Sequence, residues 1–339
     1  MSVGLAVLVA MATVWNLLPL FAAARTQTAV PDIAARARLF PGLGPGLRAI
    51  KRDSSGRYYI LAAPASTVSV YGADGKRIGE IPTGNSQAVK IVFAEDIDID
   101  ATNRLFIADR GANAVKIFQA DGSLDTSVTV LAPTSVAALP GNEFAVTSLR
   151  SDLLVTIYSE QGKRIRGFGA PGDLPASADS KRYIDRGRLS GDSLGFIYFA
   201  FTFVPDATIR KYDRFGYSAY EISLPHPDEQ SASSSQTPGV DILALARRNQ
   251  GAAVKPVIKA FGVDPVSQDV WMQTADLLSH FDKNGAFAAS YRTAAANGIR
   301  LEPSAILIEP NRILLAVDPL GVYEFSRPDK QNSESTGRR

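Results

Sequence analysis

Spaced carboxylates are the first residues here that could do chemistry: Asp96, Asp98 and Asp100 alternate with Ile97 and Ile99, and Glu95 precedes them, in the run AEDIDID. Oxygen ligands so spaced suit a hard cation such as calcium. A helix–loop–helix calcium loop needs glycine at its sixth position and glutamate at its twelfth. Counted from Asp96, those positions hold Ala101 and Ile107, so that loop is excluded. What remains is an alternating strand with one polar face, from which Glu95 and Asp98 would be the metal-ligating residues if a cation sat beside it.

A second candidate is Gly191-Asp192-Ser193-Leu194-Gly195, which matches G-x-S-x-G. That string makes a nucleophilic serine when it forms a sharp strand-to-helix turn with an acid and a histidine downstream. Here the apolar run FIYFAFTFV (Phe196–Val204) follows, a strand rather than a helix. The segment aligns instead with turns at Asp53–Gly56 and Pro140–Asn142, and a turn is the reading adopted. The histidines are His226, in a proline-rich loop, and His280, in a strand, and cysteine is absent. A zinc centre built on several histidines or on thiolates is therefore disfavoured, as is a cysteine nucleophile. No catalytic set converges, and no cofactor is expected beyond calcium in the alternative reading.

The elements that must position these residues recur along the chain. Residues 96–122 read as strand, turn, strand Leu105–Ala108, loop, strand Val115–Phe118, and a tight turn at Asp121–Gly122. The pattern returns at 49–75, 135–162, 187–216, 260–285 and 304–325. An aromatic closes each third strand: Tyr71, Phe118, Tyr158, Tyr212, Phe281 and Phe325. In five units a glycine follows four residues later: Gly75, Gly122, Gly162, Gly216 and Gly285. A lone four-stranded sheet cannot bury both faces, and radial stacking of such sheets can. The reading is therefore all-β: a six-bladed β-propeller of four-stranded antiparallel blades over about residues 32–327. The sixth unit lacks a fourth strand. The segment Arg36–Gly42 (RARLFPG) resembles the fourth strand KRIRGFG of another unit and is expected to close the last blade from the N-terminal side.

Residues 96–122 resemble an NHL repeat through Asp100, Phe106, Ala108–Asp109, Asn113, Val115, Ile117–Phe118 and Asp121–Gly122. The other units match that pattern loosely. The resemblance implies a six-bladed propeller, and with it a scaffold that hosts protein binders, RNA binders, lactonases and lyases. A calcium-dependent lactonase or hydrolase with its ion in the central channel, on Glu95 and Asp98, is the alternative to a non-catalytic binding scaffold. In a propeller the loops between second and third strands share one face. They carry Arg110, Asn113, Arg150, Asp152, Asp206, Asp276 and Asp318, with Phe201 and Phe203 beside them. Arg110, Asn113, Arg150, Asp152, Phe201, Asp276 and Asp318 are the candidates for binding a protein segment or a small polar ligand.

With 36 basic and 34 acidic residues, the net charge of +2 gives no field that would favour a nucleic acid, and no nucleic-acid partner is expected. Residues 3–24 carry no charge, and Ala22 and Ala24 fit a small-x-small cleavage site ahead of Arg25. Residues 1–24 therefore read as a signal peptide, giving an exported, periplasmic or secreted protein, or as a retained membrane anchor. Residues 225–257 read as an insertion between blades four and five, with a short helix starting near Asp241, and residues 328–339 as a disordered tail.

Overall fold

In the computed structural model, the described residues are 30–63, 66–84, 86–169, 186–203, 206–224 and 256–329. The apolar segment 3–24, the insertion from 225 to 255 and residues 330–339 lie outside them. Two short strands, β1 (Asp32–Ala34) and β2 (Ala37–Leu39), come first. Blade one holds β3 (Leu47–Arg52), β4 (Tyr58–Ala62), β5 (Val68–Tyr71) and β6 (Arg77–Ile81). Blade two holds β7 (Ala94–Ile99), β8 (Leu105–Asp109), β9 (Ala114–Phe118) and β10 (Leu124–Thr129). Blade three holds β11 (Pro133–Leu139), β12 (Glu143–Ser148), β13 (Val155–Ser159) and β14 (Arg164–Phe168). Blade four holds β15 (Gly187–Gly191), β16 (Ile197–Phe201), β17 (Ala207–Tyr212) and β18 (Ser218–Leu224). Blade five holds β19 (Ala260–Val263), β20 (Val270–Gln273), β21 (Leu278–Phe281) and β22 (Phe287–Ala294). Blade six holds β23 (Ala305–Ile308), β24 (Arg312–Val317) and β25 (Gly321–Ser326).

The repeat signals have direct structural causes. Each closing aromatic pairs with the start of its second strand, as in Tyr58 with Tyr71, Leu105 with Phe118 and Ile313 with Phe325. All but Tyr158 are buried. The five turn glycines adopt φ between 77° and 96°, a region closed to most side chains. In four of these turns an aspartate accepts the backbone N–H two residues on: Asp74 from Lys76, Asp121 from Ser123, Asp213 from Phe215 and Asp282 from Asn284.

The core consists of apolar layers between neighbouring blades. One layer joins Tyr59 and Leu61 of blade one to Ile97 and Ile107 of blade two. Equivalent layers lie between blades two and three, three and four, four and five, and five and six. The sixth joins Leu314 and Val322 of blade six to Ile60 and Tyr71 of blade one, so the ring is closed. Each blade is thus buried on both faces, which explains why the middle of its second strand is apolar.

The last blade is closed as the sequence predicts. β2 runs antiparallel to β25, with Ala37 opposite Glu324 and Leu39 opposite Val322. Phe40 then leaves the strand with φ 55° and packs its ring 4.9 Å from Tyr58 and 5.0 Å from Tyr71 of blade one. β1 adds a feature that the periodicity does not foretell: it pairs in parallel with β22, giving blade five a fifth strand.

Candidate binding site on the loop face

The turns between first and second strands share one face of the ring, and the segment 191–195 belongs there. Asp192 accepts the backbone N–H groups of Leu194 and Phe196, each at 3.0 Å, and the Tyr198 hydroxyl at 3.2 Å. Asp53 and Asp100 do the same in their blades, accepting from Arg57 and from Thr102 and Arg104. Asp192 is thus a turn acceptor, and Ser193 is an exposed turn residue. His280, the described histidine, is engaged in blade five with Asp269 and Trp271.

The first strands β3, β7, β11, β15, β19 and β23 line the central channel, and its polar groups pair with one another. Glu95 is bridged by Arg48 and, at 2.7 Å, by Arg110. Asp98 takes Lys51 at 2.8 Å and the Ala138 N–H at 2.9 Å. Asp96 accepts from the Ser135 hydroxyl, which in turn accepts the Leu189 N–H at 2.9 Å. Arg188 spans the channel from blade four, donating to the Ser304 carbonyl at 2.6 Å and the Arg48 carbonyl at 3.3 Å.

Lys51, Asp96 and Arg188 are half-buried and line the channel together. Burial alone would lower Lys51; Asp98 and Asp96 outweigh it and hold the ammonium above its ordinary range. Burial pushes Asp96 up against the pull of Lys51 and Arg188, and pushes Arg188 down. For calcium this is an unsuitable donor set. Both oxygens of Glu95 already face guanidiniums, and those of Asp98 face an ammonium and an amide, so an ion there would meet three positive side chains.

The loop face offers a different arrangement. Between blades two and three, Phe93, Arg110, Gly111, Ala132, Leu149 and Arg150 line a concavity of about 420 Å³. Phe93 lies just ahead of β7, and its ring carries the Arg110 guanidinium at 4.7 Å and that of Arg48 at 5.5 Å. Asp109, fully buried, fixes this wall by accepting the Val92, Phe93 and Ala112 N–H groups and pairing with Lys116 at 3.3 Å. A side chain at Gly111 would run into Val92 and Phe93, so glycine lets the loop lie against them. Arg150 is exposed on the opposite wall. Around the site, among the described residues, Arg48, Arg110, Arg150 and Lys116 stand against the carboxylates of Glu95 and Asp109, which leaves an excess of positive charge beside Phe93 and Leu149.

Of the residues singled out in the sequence, the structure brings together Arg110 and Arg150 here. Asn113 is held in the framework, with φ 52° and its side-chain Oδ1 accepting the Ala132 N–H at 2.9 Å. Asp318 likewise accepts the Gly46 and Leu47 N–H groups. Phe201 is buried, edge-on to Phe199 and beneath Arg210. Asp152 and Asp276 are exposed on blades three and five. Phe93, Arg48 and Leu149 went unforeseen; the aromatic ahead of an acidic first strand, FAED at 93–96, is the one signal that could have found the first of them.

No protein-family model and no curated protein sequence matches the chain. Among solved structures, selenomethionine-substituted virginiamycin B lyase from Staphylococcus aureus is 15% identical over 86% of this chain and 98% of its own, with a TM-score of 0.53. The WD40 repeats of RRP9 are 10% identical over 87% of this chain and 99% of theirs, TM-score 0.54. The Cps50 β-propeller domain of Myceliophteria thermophila is 11% identical over 87% of this chain and 100% of its own, TM-score 0.52. At such identities the likeness is one of fold: this chain is a six-bladed β-propeller. Among the described residues no helix is long and apolar enough to cross a membrane.

Proposed function

We propose that this chain is an exported binding scaffold of NHL-like blades that receives an acidic segment of a protein partner on its loop face, between blades two and three. The observation that carries the reading is Arg110: Glu95 holds its Nε at 2.7 Å and Phe93 carries its plane, in a cavity that Arg150 shares. A guanidinium so fixed loses little freedom when it takes up a carboxylate, and an incoming acid finds a second arginine across the cleft. A propeller presents its loops on a rigid ring, the setting in which binding residues are commonly placed. Export rests on the uncharged segment 3–24 and its small-residue boundary at Ala22 and Ala24. The calcium-dependent enzyme reading has against it the cations already paired with Glu95 and Asp98.

The test is fluorescence anisotropy with a labelled glutamate-rich decapeptide and a lysine-rich control. Saturable binding of the acidic peptide alone, weakened at least about tenfold in Arg110→Ala/Arg150→Ala and by added salt, is expected, since each charged hydrogen bond contributes roughly 1.5–3 kcal/mol. Equal binding of both peptides, or an unchanged affinity in the double variant, would overturn the reading.

A further inference from the structure

A second polar cluster lies on the opposite, turn-bearing face, where blades five and six meet. Asp269 ends the turn from β19 to β20, His280 sits near the end of β21, and Asp329 follows β25 where the chain leaves the last blade. Their ligand atoms lie within 4.8 Å of one another. His280 Nε2 stands 3.1 Å from Asp269 Oδ2. Two ligands each about 2.1 Å from one ion and roughly 90–110° apart lie about 3.0–3.4 Å from each other, so this pair already has the spacing of a shared metal.

The surroundings hold these groups in place. The imidazole stacks on Trp271 with ring centres 4.2 Å apart and planes 9° apart, which fixes where Nε2 points. Arg327, almost wholly buried, grips Asp329 through Nε at 3.1 Å and Nη2 at 2.6 Å, and reaches Asp264 with its remaining nitrogen. Hydrogen-bonded carboxylates of this kind are common around metal ligands. Charge adds a second argument. Among the described residues, the ion pairs to Asp264, Asp269 and Asp329 come from Arg327 and His280 alone. With the imidazole neutral, three carboxylates face one guanidinium, and a divalent ion would offset the excess. The side chains of Asp269 and Asp329 keep 18% and 15% of their surface, enough to admit an ion from solvent.

We infer that Asp269, His280 and Asp329 bind a divalent transition-metal ion that fastens the end of the last blade to blade five. One imidazole and two carboxylates suit zinc, manganese or cobalt better than calcium. Asp329, both of whose oxygens Arg327 holds, must turn one of them to the ion; Arg327 keeps Asp264 as a partner when it does, and Asp329 lies beyond the last strand.

Cobalt(II) is the probe, titrated into the full-length chain after dialysis against chelator. Trp271, stacked on the ligating ring, reports the ion through quenching of its fluorescence. The expected result is saturable quenching at one equivalent, reversed by zinc, with affinity lowered at least about tenfold in Asp329→Asn and in His280→Asn, since even the partners of metal ligands are worth about 10–100-fold in affinity. Asp152→Asn, on blade three, should bind cobalt as the parent does. His280→Asn removes a ring from the blade and could disturb its folding; Asp329→Asn keeps the side chain's shape and leaves buried Arg327 its partner Asp264, and the melting temperature of the metal-free variant checks that it is folded. Quenching that fails to saturate, or an unchanged cobalt affinity in Asp329→Asn, would show a simple network of hydrogen bonds and overturn the inference.

Discussion

Arg188, on the inner strand of blade four, donates to the carbonyl of Ser304, just ahead of the inner strand of blade six, at 2.6 Å. A second bond to the Arg48 carbonyl brings blade one into the same contact. One planar guanidinium thereby ties three blades across the channel, and Asp96 beside it offsets part of its charge.

Arg188→Met should keep the bulk of the side chain but leave two carbonyls and Asp96 short of a partner. The expected loss is about 2–3 kcal/mol, in the range for hydrogen bonds to charged groups. Arg188→Lys should recover less than half of it, because both carbonyls are reached from Nη1, at the far end of the guanidinium, and the shorter lysine side chain stops short of that position. Urea unfolding followed by tryptophan fluorescence reads this, and a Met variant within about 0.5 kcal/mol of the parent would refute the cross-channel role.

The turn at Asp192 gives a paired test. Asp192→Ala removes the acceptor for two backbone N–H groups and for the Tyr198 hydroxyl, and should cost about 2 kcal/mol. Ser193→Ala should leave stability within about 0.5 kcal/mol of the parent. Ester hydrolysis by the parent that disappears in Ser193→Ala would restore the nucleophile reading.

Phe40 links the N-terminal closing strand to blade one. It is buried at 3% exposure between Tyr58 and Tyr71. Phe40→Ala should lower stability by about 3 kcal/mol through the cavity it leaves. Thermal unfolding checks this; an unchanged melting temperature would mean that closure rests on the β2–β25 pairing alone.

Asp53 supplies a pH dependence. Burial pushes its carboxyl up, but hydrogen bonds from Ser55, Arg57 and Tyr59 outweigh it and hold it below its ordinary value. The folded state therefore favours the ionised form, and the unfolded chain binds the proton more readily. The stability so gained is complete above the unfolded value near 3.8 and is lost as pH falls from there through the lower folded value. In Asp53→Asn, stability should fall less steeply between roughly pH 4 and 2 than in the parent; equal slopes would count against this account.

The blades were legible in the chain because strands and turns are local. Alternation near Asp96, the aromatic that closes each third strand and the glycine four residues later each follow from constraints within about thirty residues. Even the closure by residues 36–42 could be read, since an open ring needs a strand and Ala37–Leu39 carries one. β1 left no such trace, being three residues long and paired in parallel with a strand some 260 positions away. The sites were the tertiary structure's decision. Nothing near Glu95 in sequence foretells that Arg48 and Arg110 would grip it, and nothing near Arg188 foretells Ser304. Asp269 and His280 belong to blade five, and Asp329 lies beyond the last strand of blade six. Ring closure brings such groups together, and it is set by the packing of all six blades at once, so local periodicity determined the propeller while only the closed ring decided which charges meet.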